Sequence, residues 1–473
     1  MRKPILFIIS FILFCFPLSA QPSLTLGQAI EMAQTGSYEA EISDADYQAG
    51  MWQFSSFMST FKPHLEFNIN PNYIKEAYEP TNQFVRTRDY NMFSTAAELR
   101  LNQKIAAFGG DFYAASAGIW TETFSDSDRP RLFGASPIRI GYQQQLLGFN
   151  PYKWDKKIEN AKIKHVESRH DFEQWTIARK TAQLYLEALR ATSMYEMYRN
   201  NSETSEYLYR IGMEKFNLTS IRNDELSSLE LQWSNALNSC SLAEAQMRSS
   251  LAELYSYVGM EGFSLTMPAN PDYLLLDKQM IMSLVEENNP IYNQNTLMLL
   301  EAHRKEEKAK KGVGVQASVD LNLGLQNYGV NPGSAYGNQG LLSVSGVNLR
   351  IPIVDQKTAR DNYKAAQFEV KSTDAEAREN LRLLTVEVDN AIRDFENFQT
   401  LVRSTSTTME LADEAYRQAN ENYANGIADI NTFAIAQNRK ENAYANYLNA
   451  LCCYWDAYYR LSMLCGIDIL SLR

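Results

Sequence analysis

Between positions 353 and 425 the chain contains neither proline nor glycine, a run of 73 residues. Proline breaks a helix by removing a donor, and glycine weakens one through its conformational freedom. A stretch this long without either predicts a single helix of roughly 110 Å at 1.5 Å per residue. Mean globular helices have only about 11–12 residues, so this one needs neighbours along its whole length. The apolar spacing provides a seam for them. Leu381, Leu384, Val388, Ala391, Phe395, Phe398, Val402, Thr405, Met409, Ala412, Tyr416, Ala419 and Tyr423 follow one another by steps of three and four, with Thr405 the one polar interruption. A sustained seven-residue repeat predicts supercoiling against other helices. The stripe is rich in small and aromatic residues, which suits a wall of several helices; a plain antiparallel hairpin is the simpler alternative. Residues 153–211 form a second run free of both breakers.

A different period appears in VGVQASVDLNLGL, residues 313–325. Odd positions are apolar or alanine, and even positions are polar or glycine. A period of two marks a strand with unlike faces. Residues 341–353 form a second candidate strand, joined to the first through the turn-rich NYGVNPGSAYGNQG. Earlier in the chain, residues 64–70, 95–101, 112–124 and 137–147 are further candidates, the third being the weakest. Four strands are therefore expected before position 150 and two after it.

Two internal echoes divide the chain. Residues 216–261 overlay residues 423–468 without a gap at an offset of 207, matching Phe216 to Tyr423, Leu254 to Leu461 and Gly259 to Gly466. LTLGQAIEMAQTGSY at residue 24 resembles LDKQMIMSLVEENNP at residue 276, an offset of 252. Two repeated halves follow, each running helix, strands, long helix, turn, helix. The resulting division is a leader over 1–20, a first helix and equatorial segment over 21–62, strands over 63–150, and long helices over 151–262 turning near 216–225. The second half has a linker and helix over 263–311, a β-hairpin over 312–354, and long helices over 355–473 turning near 423–432.

The leader sets the compartment. Arg2 and Lys3 precede an apolar run from Ile5 to Phe16, and Pro17, Ser19 and Ala20 follow. That layout predicts a cleaved signal peptide. A retained anchor needs about 17–25 apolar residues, and Phe14 suits lipoprotein processing at Cys15 poorly. No later stretch approaches 18 apolar residues. Net charge is −11, and −13 once Arg2 and Lys3 are removed, without basic clusters, which argues against nucleic acid as a partner. Cys240, Cys452, Cys453 and Cys465 show no CxxC spacing and are read as packing residues rather than disulfides.

A secreted chain with long two-faced strands raises the question of edges. Open strand edges are not tolerated in lipid, and two to six strands do not close a barrel alone. Membrane strands need about 9–11 residues with apolar side chains outward and polar ones toward a lumen. Several copies sharing one barrel would satisfy both conditions, with the long helices forming a tube that continues it. Gln316, Ser318, Asp320 and Asn322 would then face the lumen.

At this point the chain resembles the TolC-type outer membrane efflux family (outer membrane factors). The residues that carry the resemblance are LTLGQAIEMA, EENNP, LRIPIVDQKTARDNYKAA (349–366) and above all YANGIADINTFAIAQNRKENAYANYLNA (423–450), followed by Leu461 and Gly466. The resemblance implies a mixed fold: a long α-helical coiled-coil tunnel plus transmembrane strands given to a shared trimeric β-barrel. It implies a homotrimer in outer membrane lipid, with its helices in the periplasm. Its partners would be a periplasmic adaptor and an inner-membrane pump of RND, ABC or MFS type. In four-stranded members the barrel has twelve strands; the extra strand-like sequence between Pro80 and Pro137 departs from that.

The implied function is a passive exit duct of a tripartite efflux or type I secretion system, gated at its periplasmic end. No cofactor, metal or catalytic residue is expected. His64, His165, His170 and His303 have no metal spacing, and no P-loop, GxSxG or dinucleotide fingerprint occurs. Functional residues are expected in two helical turns, KFNLTSIRNDEL (215–226) and NYANGIADINTF (422–433). Gate candidates are Asp224, Glu225, Asp429 and Thr432. Adaptor-contact candidates are Leu218, Thr219, Gly426, Ile427 and Ala428. Carried over by position, two aperture acids of the family fall on uncharged Thr432 and Ile435, and its basic turn residue falls on Ala428. Asp224 and Asp429 have two readings, as helix caps or as a ring of charge that repels anions. Two other functions stand beside the channel: a periplasmic coiled-coil scaffold with a soluble β-domain, and an extracytoplasmic enzyme with an unrecognised site.

Overall fold

The computed structural model describes residues 23–473 except 82–83, 125–128, 219–220, 271–272, 352–355, 426 and 473. The expected leader over residues 1–20, and the candidates Thr219 and Gly426, lie outside the described residues. In chain order the elements are β1 (Ser23–Leu24), α1 (Leu26–Gly36), α2 (Tyr38–Ser59), β2 (His64–Thr81), β3 (Phe84–Ile105), β4 (Gly110–Phe124), β5 (Arg131–Leu147), α3 (Pro151–Asn217), α4 (Asn223–Val258) and β6 (Ser264–Leu265). They continue with α5 (Lys278–Asn288), α6 (Pro290–Val313), β7 (Gln316–Gly329), α7 (Pro332–Tyr336), β8 (Gly340–Arg350), α8 (Gln356–Ala424), α9 (Ile430–Cys465) and a 3-10 turn, Ile469–Leu472.

The chain divides into two units. One takes in the chain up to Asp44 with His170–Asn289 and Thr385–Arg473; the other takes in Ala45–Arg169 and Pro290–Leu384. In the first unit the helices follow from their seams. α8 is a single helix of 69 residues, and its seven-residue stripe is its least exposed face. Val388, Ala391, Phe395, Val402 and Ala419 are buried, with Phe398, Met409, Ala412, Tyr416 and Tyr423 half-buried between them. Thr405 is tolerated in that stripe because its hydroxyl donates to the carbonyl of Leu401 at 2.8 Å, so no polar group is left unpaired. α3 runs on through Gly212, where a Cβ would overlap a Leu229 methyl. The glycine lets α4 approach closely, at some cost in helix propensity.

Helix ends are set by side chains and glycines. Thr25 and Gln28 form a capping box at the start of α1, and Asp277 caps α5 by accepting from the Gln279 N–H at 2.9 Å. α4 and α9 are each 36 residues long and begin 207 residues apart. Each ends on a left-handed glycine, Gly259 at φ 80° and Gly466 at φ 71°. Asn288 donates to the carbonyl of Cys465 at 2.8 Å, tying α5 to the last turn of α9. The hydroxyl of the buried Tyr185 donates to the carbonyls of Leu24 and Thr266, at 2.6 and 2.7 Å, and so clamps the short parallel pair β1–β6. Cys240, Cys452, Cys453 and Cys465 are free thiols.

The second unit holds one antiparallel six-stranded sheet in the order β2-β3-β4-β5-β7-β8. Its strands are longer than the sequence pattern predicts at most ends. β3 starts eleven residues before the expected Thr95, and β2 runs on through Pro71 to Thr81. Proline is compatible with β2 because β2 is an edge strand. In the opposite sense, Val313 ends α6 and the strand begins at Gln316, so the first three residues of the alternating stretch belong to helix and linker. The hairpin tip between β7 and β8 carries the short α7, capped by Asn331.

Candidate pore face and turn end

Cross-strand partners in an antiparallel ladder share a face, so the register sorts every strand residue into two sets. One set runs across the sheet as Leu65, Leu101, Ala114, Ile140, Leu323 and Ser343. Phe67, Ile69 and Tyr73 join it on β2, Leu99 on β3, Leu321 on β7 and Val347 and Leu349 on β8. Apart from Ala114 and Ser343, these side chains are large, apolar and exposed, Leu65 at 64%, Phe67 at 63% and Val347 at 71%. A bare apolar face of this extent needs an apolar medium or a partner.

The other face is polar. It carries Glu66, Asn102, Arg100, Glu98, Arg139, Asp320 and Asn322. Arg139 contacts Glu98 at 2.5 Å, Arg100 reaches the same carboxylate at 3.6 Å, and Asn102 bonds both Arg100 and Glu66. The Arg100 guanidinium lies 3.9 Å from the centroid of the Tyr113 ring, a cation–π contact. Gly141 opposite Tyr113 makes room for that ring, since a Cβ there would sit inside it. The expected quartet Gln316, Ser318, Asp320 and Asn322 lies together on this polar face, opposite Arg350, Asn348, Gly346 and Val344 of β8. Sequence reading missed the arginine–glutamate–tyrosine cluster, because its members come from three strands far apart in the chain. The alternation of Glu98 and Arg100 within residues 95–101 is the signal that pointed toward it.

In the helical unit, the two helical turns carry the remaining candidates. Leu208 of α3, Leu229 of α4, and Ile430 and Phe433 of α9 form one buried cluster, with Tyr209, Tyr416 and Tyr423 packed on it. Phe433 is fully buried, its ring 5.7 Å from that of Tyr416 and 5.8 Å from that of Tyr423. The two turns are thus joined by a common core. Leu218 and Ile427, 74% and 76% exposed, project from the two turns, while Ala428 is half-buried. The N–H groups of Ile427 and Ala428 both donate to the carbonyl of Asn422.

The acidic candidates separate by role. Asp429 is the N-cap of α9: its Oδ1 accepts from the Thr432 N–H at 2.8 Å and from the Thr432 hydroxyl at 2.7 Å. Those bonds, the backbone one first, hold its carboxyl below the ordinary carboxylate range. Asp224 makes no cap; it bonds the Arg222 guanidinium, which lowers its pKa in turn. Glu225 is half-buried, and its charge acts with burial to raise the pKa of Tyr423. Behind the turns lies a buried polar layer that the sequence did not suggest. Glu441 accepts from Asn201 at 2.7 Å and from Gln437 at 3.1 Å, and burial raises its pKa. No cluster of His, Cys, Asp and Glu suited to a metal occurs among the described residues, nor does a helix long and apolar enough to cross a membrane.

Comparison with known proteins agrees with this geometry. Residues 294–466 match the model of the outer membrane efflux protein family. The structure is similar to the Campylobacter jejuni CmeC outer membrane channel, with TM-score 0.68 and 13% identity over 93% of this chain and 85% of that one. It is also similar to the outer membrane protein VceC of Vibrio cholerae, with TM-score 0.65 and 11% identity over 94% of this chain and 96% of that one. The open state of the Neisseria gonorrhoeae MtrE outer membrane channel gives TM-score 0.64 and 12% identity over 94% and 89%. A comparison with curated protein sequences finds no match. At these identities the structural likeness speaks to the fold, and the family match speaks to the second half. Residues 294–466 thus carry the outer membrane efflux protein signature, and the chain as a whole shares the fold of outer membrane channels.

Proposed function

We propose that the protein is the outer membrane exit duct of a tripartite efflux or type I secretion system, working as a passive homotrimer. The observation that carries this reading is the two-faced sheet: one side of exposed leucine, phenylalanine and valine, the other of paired charges and amides. Lipid on the first side and water on the second satisfy both. Gln316, Ser318, Asp320 and Asn322 then line the lumen. The equal lengths and left-handed glycine ends of α4 and α9 support two repeated halves. Asp224, Glu225, Asp429 and Thr432 are the gate candidates, and exposed Leu218 and Ile427, with Ala428, are where an adaptor would touch. With no nucleotide or metal motif of its own, the duct would draw energy from an inner-membrane pump through that adaptor.

The test is reconstitution of the purified protein in planar bilayers. Trimers that dissociate only on heating, and discrete conductance steps, are expected. Neutralising Asp429 together with Glu225 (D429N, E225Q) should weaken block by divalent cations; unchanged block would remove these acids from the gate. A soluble monomer without conductance would instead favour a periplasmic scaffold with a soluble β-domain.

A further inference from the structure

The register of the sheet contains information about how it closes. Following one row of partners across all six strands leads from His64 to Asn102, Tyr113, Gly141, Asn322 and Val344. At that end of the sheet, β2 begins at His64, whereas β8 continues past Val344 to Arg350. The last strand therefore overhangs the first by six residues across a sheet of six strands. A closed barrel needs such a stagger, because its strands tilt and their register shears around the circumference. One residue of shear per strand, about 3.3 Å against a strand spacing of about 4.8 Å, corresponds to a tilt of about 35°. That is close to the range of about 35–45° found in barrels.

The two edges also suit one another. Six strands alternating in direction leave β2 and β8 antiparallel, so β8 of one copy can continue the ladder onto β2 of the next. Using the overhang to set the register puts Arg350 opposite His64. Leu349 then meets Leu65 and Val347 meets Phe67, exposed apolar residues on the same face. On the other face Asn348 meets Glu66 and Gly346 meets Asn68, with the exposed Arg350 beside the Glu66 carboxylate. Pro71 offers no N–H and ends the regular ladder after Asn70.

Resting on the trimeric reading above, we propose that all six strands enter the barrel, which is closed by β2 of each copy pairing with β8 of its neighbour, so that three copies build eighteen strands. The partner is a second copy of this chain, and the site is its free β8 edge. The competing closure keeps only β4, β5, β7 and β8 in a twelve-stranded barrel and leaves the β2–β3 hairpin outside it.

Cysteine pairs in outer membrane vesicles distinguish the two. The pair N68C with G346C places thiols on the edges opposed in the eighteen-stranded closure, and Gly346 has open space for a side chain. Oxidation should shift the boiled, non-reduced protein from the one-chain to the three-chain band, with N68C or G346C alone at background. The pair A115C with G346C reports the twelve-stranded closure. Cross-linking by that pair, with N68C/G346C silent, would overturn the proposal and leave the trimer intact. If neither pair reacts while native mass shows a trimer, the β2–β8 contact is rejected. A native mass of one chain would reject the trimeric channel as well.

Discussion

At the residue scale, aspartates at the turns illustrate how one residue type serves two ends. Both Asp224 and Asp429 sit beside a helix start, and sequence alone allows either to cap. The structure gives the cap to Asp429 alone, because Asp224 lies inside the first turn of α4 behind Arg222 and pairs with it. Replacing Asp429 by alanine removes the acceptor of the Thr432 N–H, so hydrogen exchange at Thr432 should accelerate while exchange in the middle of α9 stays unchanged. The same acceptor predicts a pH dependence. A carboxyl whose folded pKa is depressed stabilises above its unfolded value and loses that contribution as pH falls through the folded one. Protection at Thr432 should therefore hold down to the ordinary aspartate range, near 3.8, and decline below it. Faster exchange at neutral pH than at pH 4, after correction for intrinsic rates, would contradict the cap.

At the element scale, most of the fold was legible because period carries it. The seven-residue stripe of α8 and the period of two in β7 are one-dimensional patterns; the first survives in the burial of the folded chain and the second in the pairing register that sorts β7 into two faces. Strand ends were not legible: β2 and β3 continue as a hairpin through residues whose alternation is weak, held by main-chain pairing rather than by side-chain pattern. The candidate site divides in the same way. The polar quartet Gln316, Ser318, Asp320 and Asn322 could be read from alternation, whereas the Arg139–Glu98 contact joins residues 41 apart in the chain and needed the register. That register also refines where a charge on the apolar face should be most harmful. Val319 is the fourth residue of β7, close to its start, while Leu323 is the eighth of fourteen and lies between Ile140 and Ser343. An arginine at Leu323 should cost about 2–4 kcal/mol if the strand spans lipid, and one at Val319 about 0–1 kcal/mol nearer the interface. Arginine at Ser318, on the polar face, should be tolerated. Urea unfolding of the protein in vesicles reads all three, and equal costs at Leu323 and Ser318 would remove the distinction between the faces.

At the scale of the whole molecule, the question is what the two extra strands contribute. Both ends of the β2–β3 hairpin lie at the same end of the sheet: β2 starts at His64, and β3 finishes at Ile105 beside the turn into β4. Excising residues 64–105 and joining Pro63 to Ala106 therefore requires no change of direction. What remains is β4-β5-β7-β8, again an even number of antiparallel strands, with one edge on β4 and the other on β8. Three such sheets can still close, at twelve strands. Barrel diameter grows roughly linearly with strand number, so the shortened protein should keep its trimer but have a lumen about two-thirds as wide. Exclusion of neutral polymers from the conductance of the reconstituted trimer, with polymer added to each side in turn, reads this directly. A polymer cut-off that falls on excision places the hairpin within the barrel wall. An unchanged cut-off in an intact trimer would mean that β2 and β3 stand outside a barrel built by the other four strands.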